Sequence, residues 1–123
     1  MYEKIRTLIV DDDSNWRYDL QDIAQKAGLK KIDVVSSERE AVALLDKGSY
    51  HLMMLDTKYG SLVMGPNIAK AAIARGHSPR IVALSGSSDN EKLWQNHGFE
   101  YKFIDKSTIG EDDIKPILNE IEV

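Results

Sequence analysis

Short apolar runs alternate along the chain with segments of helical period, and the alternation repeats five times. The strand-length runs are Ile5-Val10, Lys31-Val35, His51-Leu55, Arg80-Ser85 and Tyr101-Ile104. Stretches such as Leu8-Ile9-Val10 and Leu52-Met53-Met54-Leu55 are apolar on consecutive residues, as expected of strands covered on both faces. Between the first two strands, Trp16, Leu20, Ile23, Ala24 and Ala27 fall at helical spacing, with Gly28 placed for a left-handed cap. A second helix is expected over Ser37 to Lys47 with Val42 and Leu45 inward and Gly48 closing it, and a third opens at Gly65-Pro66. Ser88-Asp89-Asn90-Glu91 reads as the capping box of a short fourth helix that Gly98 closes. Because Pro116 lacks an N–H, the fifth helix is expected to start as late as Asp112 or Asp113, or to kink; Ile114, Ile117, Leu118 and Ile121 form its inward face.

These elements predict an α/β fold, a doubly wound parallel five-stranded sheet built from five βα units. In such a sheet functional groups collect at the carboxyl ends of the strands, near the switch point. The polar residues obey that rule. Strand one runs into Asp11-Asp12-Asp13, strand three into Asp56, strand four ends in Ser85, and Asp105-Lys106 follows strand five. Each signal is weak alone. Asp13-Ser14, just before the first helix, reads first as an N-cap. Together, carboxylates from strands one and three repel unless a cation sits between them, and oxygen ligands with a lysine nearby suit Mg2+ better than zinc or copper.

Composition narrows the field. A length of 123 residues fits one domain spanning residues 1–123, and 42% hydrophobic with 29% charged residues is ordinary for a folded chain. The absence of cysteine removes disulfides, thiol catalysis and thiolate metal sites. A net charge of -4 without a basic cluster argues against direct nucleic-acid binding. No apolar run is long enough for a membrane span, and Met1-Tyr2-Glu3-Lys4-Ile5 lacks signal-peptide character, so a cytoplasmic protein with no membrane partner is expected.

The blocks LIVDDD, HLMMLD, IVALSG and YKFIDK, in that order, resemble the four signature blocks of response-regulator receiver domains, and the resemblance covers the whole chain. It implies the flavodoxin-like strand order 2-1-3-4-5. By the same resemblance Asp56 is the phosphoacceptor, fed by a histidine kinase or a histidine phosphotransfer protein. Mg2+ is held by Asp11, Asp12, Asp56 and the backbone carbonyl of Lys58, with Asp12 the direct ligand and Asp11 acting largely through water. Lys106 supplies an ammonium and Ser85 a hydroxyl to the phosphoryl oxygens, which must be neutralised for one anion to attack another. Phe103 resembles the aromatic that moves inward as Ser85 engages, reshaping the face of helix four, strand five and helix five toward a downstream protein; the competing reading is a plain core aromatic. Trp94 is either core or an anchor of that face. Lys58 and Ser87 resemble residues that set phosphoryl lifetime, and Lys58 either deters the hydrolytic water or binds the phosphoryl group. No enzyme acting on a separate substrate is implied, only self-directed transfer and autodephosphorylation. No output domain lies within these residues, so the signal is expected to leave through a noncovalent partner or by phosphotransfer.

Two departures stand out. Receivers commonly follow the lysine with proline through a cis peptide, whereas Ser107 follows Lys106; either the bond is trans with a rearranged loop or strain is retained. The segment Thr57 to Met64 lacks the usual proline, so a mobile loop or an altered partner contact is expected. Three other readings compete. One is a degenerate receiver that binds a partner without phosphorylation. Another is a haloacid-dehalogenase-type phosphatase using Asp11 and Asp13, though its late acidic metal motif is not evident. The third is a flavin-binding module, which lacks its phosphate-cradling loop after strand one.

Overall fold

In the computed structural model, residues 2–123 are described; Met1, included in the reading of the amino terminus, lies outside them. The elements run β1 (Arg6–Val10), α1 (Ser14–Lys26), β2 (Lys31–Val35), α2 (Glu38–Leu45), β3 (Leu52–Asp56), β4 (Lys58–Tyr59), β5 (Leu62–Val63), α3 (Gly65–Ala74), β6 (Arg80–Ser85), a 3-10 segment (Ser88–Leu93), β7 (Lys102–Asp105) and α4 (Glu111–Leu118). The main sheet has the order β2-β1-β3-β6-β7 and every pairing in it is parallel. This is the expected 2-1-3-4-5 order, with β6 and β7 in the places of strands four and five.

The consecutive apolar runs are explained by burial on both faces. Ile9, Met54, Val82 and Leu84 pack with Leu20 and Ala24 of α1 and with Ile114, Ile117 and Leu118 of α4. Their neighbours Leu8, Val10, Met53, Leu55 and Ala83 pack on the opposite face with Ala41 and Leu45 of α2 and Ile68 and Ala72 of α3. Alternation within each strand thus feeds two cores. No described helix is long and apolar enough to cross a membrane.

Three expectations are corrected, and the segment after Asp56 takes a defined form. The fourth helix is a 3-10 segment, and its cap is Ser87, whose hydroxyl accepts the Asp89 N–H at 3.4 Å, one residue earlier than the Ser88 capping box. α4 starts at Glu111 with Pro116 inside it; Gly110 is its N-cap and donates its N–H to Asp113 Oδ2 at 2.9 Å. On α2 the fully buried positions are Ala41 and Leu45, while Val42 is half-buried. The segment after Asp56 forms a short hairpin: Lys58 pairs with Val63 and Tyr59 with Leu62 across a turn in which Gly60 takes φ +58°. The Thr57 carbonyl closes its base by accepting the N–H groups of Met64 and Gly65.

Candidate functional site

The sheet order reverses beside β1, and the chain leaves β1 and β3 at that switch point into Asp11 and Asp56. Asp11 is fully buried. Its Oδ1 accepts the Asp13 N–H at 3.0 Å and its Oδ2 accepts from Lys106 Nζ at 2.9 Å. Arg17 donates to the Asp11 carbonyl at 2.9 Å, tying the start of α1 to the end of β1. Asp56 is 7% exposed, accepts the Thr57 N–H on Oδ1 at 3.0 Å, and lies 3.3 Å from Lys106 Nζ through the same oxygen. One ammonium therefore bridges two buried carboxylates. Exposed Asp12 joins them, and ligand oxygens of Asp11, Asp12 and Asp56 all lie within 4.8 Å of one another.

Lys106 reaches this place although the peptide to Ser107 is trans, since no described peptide bond is cis. Asp105 organises the loop by accepting both the Ser107 N–H at 2.8 Å and its hydroxyl at 2.7 Å on Oδ1. The Lys106 N–H donates to the Ser85 carbonyl at 2.9 Å, and its ammonium stands 4.9 Å over the Trp16 ring centroid. Trp16 has the spacing of an inward helical residue, yet it is only half-buried and covers the lysine.

The charges are unbalanced. Burial and the neighbouring charge of Asp11 push the Asp56 carboxyl from 3.8 up to about 7, against the opposing pull of Lys106. Burial works against the Lys106 ammonium, but the Asp11 hydrogen bond and the charges of Asp56 and Asp11 outweigh it and hold the group above its ordinary range. Three carboxylates facing one ammonium make an oxygen-only donor set with surplus negative charge, which fits a hard divalent cation.

The remaining predicted residues fall into place around this centre. Ser85 is buried at the end of β6, and its hydroxyl oxygen accepts from Asn90 Nδ2 at 2.8 Å and from the Ser87 N–H at 3.1 Å. Phe103 is half-buried on β7 and packs at the edge of the α2/α3 core. Lys58 is half-buried in β4. Trp94 resolves as core: it is fully buried, and its Nε1–H donates to Thr57 Oγ1 at 2.9 Å, while that hydroxyl donates to the Leu84 carbonyl at 2.7 Å. Trp94 is thus no surface anchor. Asp13 caps α1, its Oδ1 accepting the N–H groups of Asn15 at 2.8 Å and Trp16 at 3.2 Å, which leaves no support for the acid/base role of the phosphatase reading. Asp13→Ala is expected to lower stability by about 1 kcal/mol in urea denaturation, and an unchanged midpoint would contradict the capping role. Sequence reasoning passed over Thr57, Arg17 and Asn90, for which a polar residue beside a strand end is the faint signal available.

Residues 7–114 match the family model described as the response regulator receiver domain. The chain belongs to this family. Among solved structures the receiver is similar to a CheY-like response regulator receiver domain from Methylobacillus flagellatus, with TM-score 0.80, 22% identity, and 96% of this chain and 98% of that one covered. A response regulator receiver protein from Sinorhizobium medicae gives TM-score 0.79 at 19% identity, covering 98% and 95%. The receiver domain of the histidine kinase CKI1 from Arabidopsis thaliana, in complex with Mg2+, gives 0.74 at 22% identity, covering 98% and 93%. No curated protein sequence matches the receiver. At these identities the structural likeness speaks for the fold, and the family match carries the membership.

Proposed function

We propose that this receiver is a phosphoacceptor switch in which Asp56 accepts a phosphoryl group from a phosphohistidine on a histidine kinase or histidine phosphotransfer protein. The observation that carries the reading is the placement of Asp56 beside a buried ammonium and two further carboxylates at the carboxyl end of the sheet. An Asp56 carboxylate oxygen attacks phosphorus, the donor's P–N bond breaks, and its electron pair stays on the imidazole nitrogen. Asp11, Asp12, Asp56 and the Lys58 carbonyl would hold Mg2+, the ion in the Arabidopsis receiver complex. The chemistry supplied there is neutralisation of charge on the phosphoryl oxygens. Lys106, already within 3.3 Å of Asp56, pairs with another of those oxygens, and Ser85 donates to a third.

Ser85 has that phosphoryl partner only in the phosphorylated state, so the contact biases one state over the other. Phe103 moves inward as Ser85 engages. The face it alters consists of the 3-10 segment, β7 and α4, and this face meets the downstream protein. Lys58 and Ser87, flanking the site, set how soon water attacks the aspartyl phosphate and releases the Asp56 carboxylate. Partners are thus a phosphohistidine donor and a downstream protein, with neither nucleic acid nor membrane contacted directly.

Intact mass after incubation with acetyl phosphate and Mg2+ tests the reading. Gain of one phosphoryl group by the wild type, and none with chelator present or in Asp56→Asn, is the expected result. No gain, together with no binding of fluoroberyllate, would instead establish a phosphorylation-independent interaction module.

A further inference from the structure

The Ser85 hydroxyl is more constrained than a switch residue needs to be. A hydroxyl oxygen offers two acceptor lone pairs and one proton. At Ser85 two N–H donors address the oxygen, the side-chain amide of Asn90 at 2.8 Å and the backbone of Ser87 at 3.1 Å. With both lone pairs taken, the group can only donate, and its proton is turned away from both nitrogens. The main chain is fixed as well, because the Ser85 carbonyl accepts the Lys106 N–H. Asn90 sits in the 3-10 segment, on the face proposed to change, and its own N–H is bonded to the Ser87 carbonyl at 3.2 Å.

We propose that Asn90 is a positioning residue, whose amide makes Ser85 an obligate donor toward a tetrahedral oxyanion on Asp56 and links that hydroxyl to the 3-10 segment. The inference rests on the phosphoacceptor reading above. Its polarity matters: an amide N–H at this position presents the hydroxyl proton to the anion, whereas a carboxylate would capture the proton and withdraw it.

The test is calorimetric titration of the full chain with fluoroberyllate at saturating Mg2+. Asn90→Ala should weaken binding about 5-fold, the worth of one neutral hydrogen bond near 1 kcal/mol. Asn90→Asp should weaken it further, by roughly 20-fold, because it reverses the hydroxyl and adds an anion. In a Ser85→Ala background, Asn90→Ala should have almost no effect, since the residue acts through the hydroxyl. Mg2+ affinity measured alone should be unchanged in Asn90→Ala. An equal loss in both backgrounds, wild-type binding by either Asn90 variant, or a parallel fall in Mg2+ affinity would overturn the role of Asn90 while leaving the phosphoacceptor reading intact. Failure of the wild type itself to bind fluoroberyllate would overturn both.

Discussion

Without metal at pH 8, Asp56→Asn is expected to be more stable than the wild type by about 2 kcal/mol in urea denaturation. Asp56 is a buried carboxylate beside the buried carboxylate of Asp11, and one lysine serves both. Replacing it with an amide leaves a neutral Asp11–Lys106 pair and keeps an oxygen that can accept the Thr57 N–H. The distance from 3.8 to about 7 for the Asp56 carboxyl bounds the gain at about 4 kcal/mol, and water entry and relaxation reduce it. The sign follows from proton counting. Because its folded value is raised, the native wild type holds a proton between pH 4 and 7 that the unfolded chain has lost, so its stability falls as pH rises through that window. The advantage of the variant should therefore grow from about pH 4 to about pH 7 and then level off. Saturating Mg2+ should shrink it, since binding to the native carboxylates favours the wild type. An advantage independent of pH, or a variant less stable at pH 8 without metal, would contradict this account.

The second large effect is steric. Gly65 opens α3 directly under the site, and a Cβ there would overlap the Asp56 carbonyl oxygen and stand 2.6 Å from Cζ2 of Trp94. Neither neighbour yields easily. The Asp56 carbonyl belongs to the central strand, and the indole is fully buried with its N–H bonded to Thr57. Gly65→Ala should lower stability by about 2 to 3 kcal/mol and, by displacing the end of β3, slow phosphorylation by acetyl phosphate. A denaturation midpoint equal to that of the wild type would mean that the helix start can shift at no cost, and the close approach would lose its significance.

The legibility of the sequence differed from element to element for physical reasons. The central strands β1, β3 and β6 could be read because burial on both faces demands consecutive apolar residues, the partly exposed edge strands β2 and β7 showed only as shorter mixed runs, and the acidic residues at the ends of β1 and β3 stood out against the apolar runs. The fourth helix misled because Ser87 and Ser88 are adjacent possible caps, and the choice between them depends on tertiary bonds from Asn90 to Ser85 and from Trp94 to Thr57. The β4–β5 hairpin has strands of two residues, too short for any period to show. Trp16 shows a different limit. Helical spacing reports the direction of a side chain but not its height along the sheet, and one turn into α1 the inward direction leads to Lys106 rather than into the core.

That placement of Trp16 gives the molecule optics of its own. The chain carries two tryptophans in unlike surroundings, one half-buried under the site ammonium and one sealed in the α2/α3 core. Emission from the first responds to the electric field at the site and to any shift of Lys106, while the second, bonded to Thr57 beside Asp56 and adjoining the 3-10 segment, reports rearrangement of that face and opening of the core. Occupancy and unfolding can thus be followed in a single cuvette without a label.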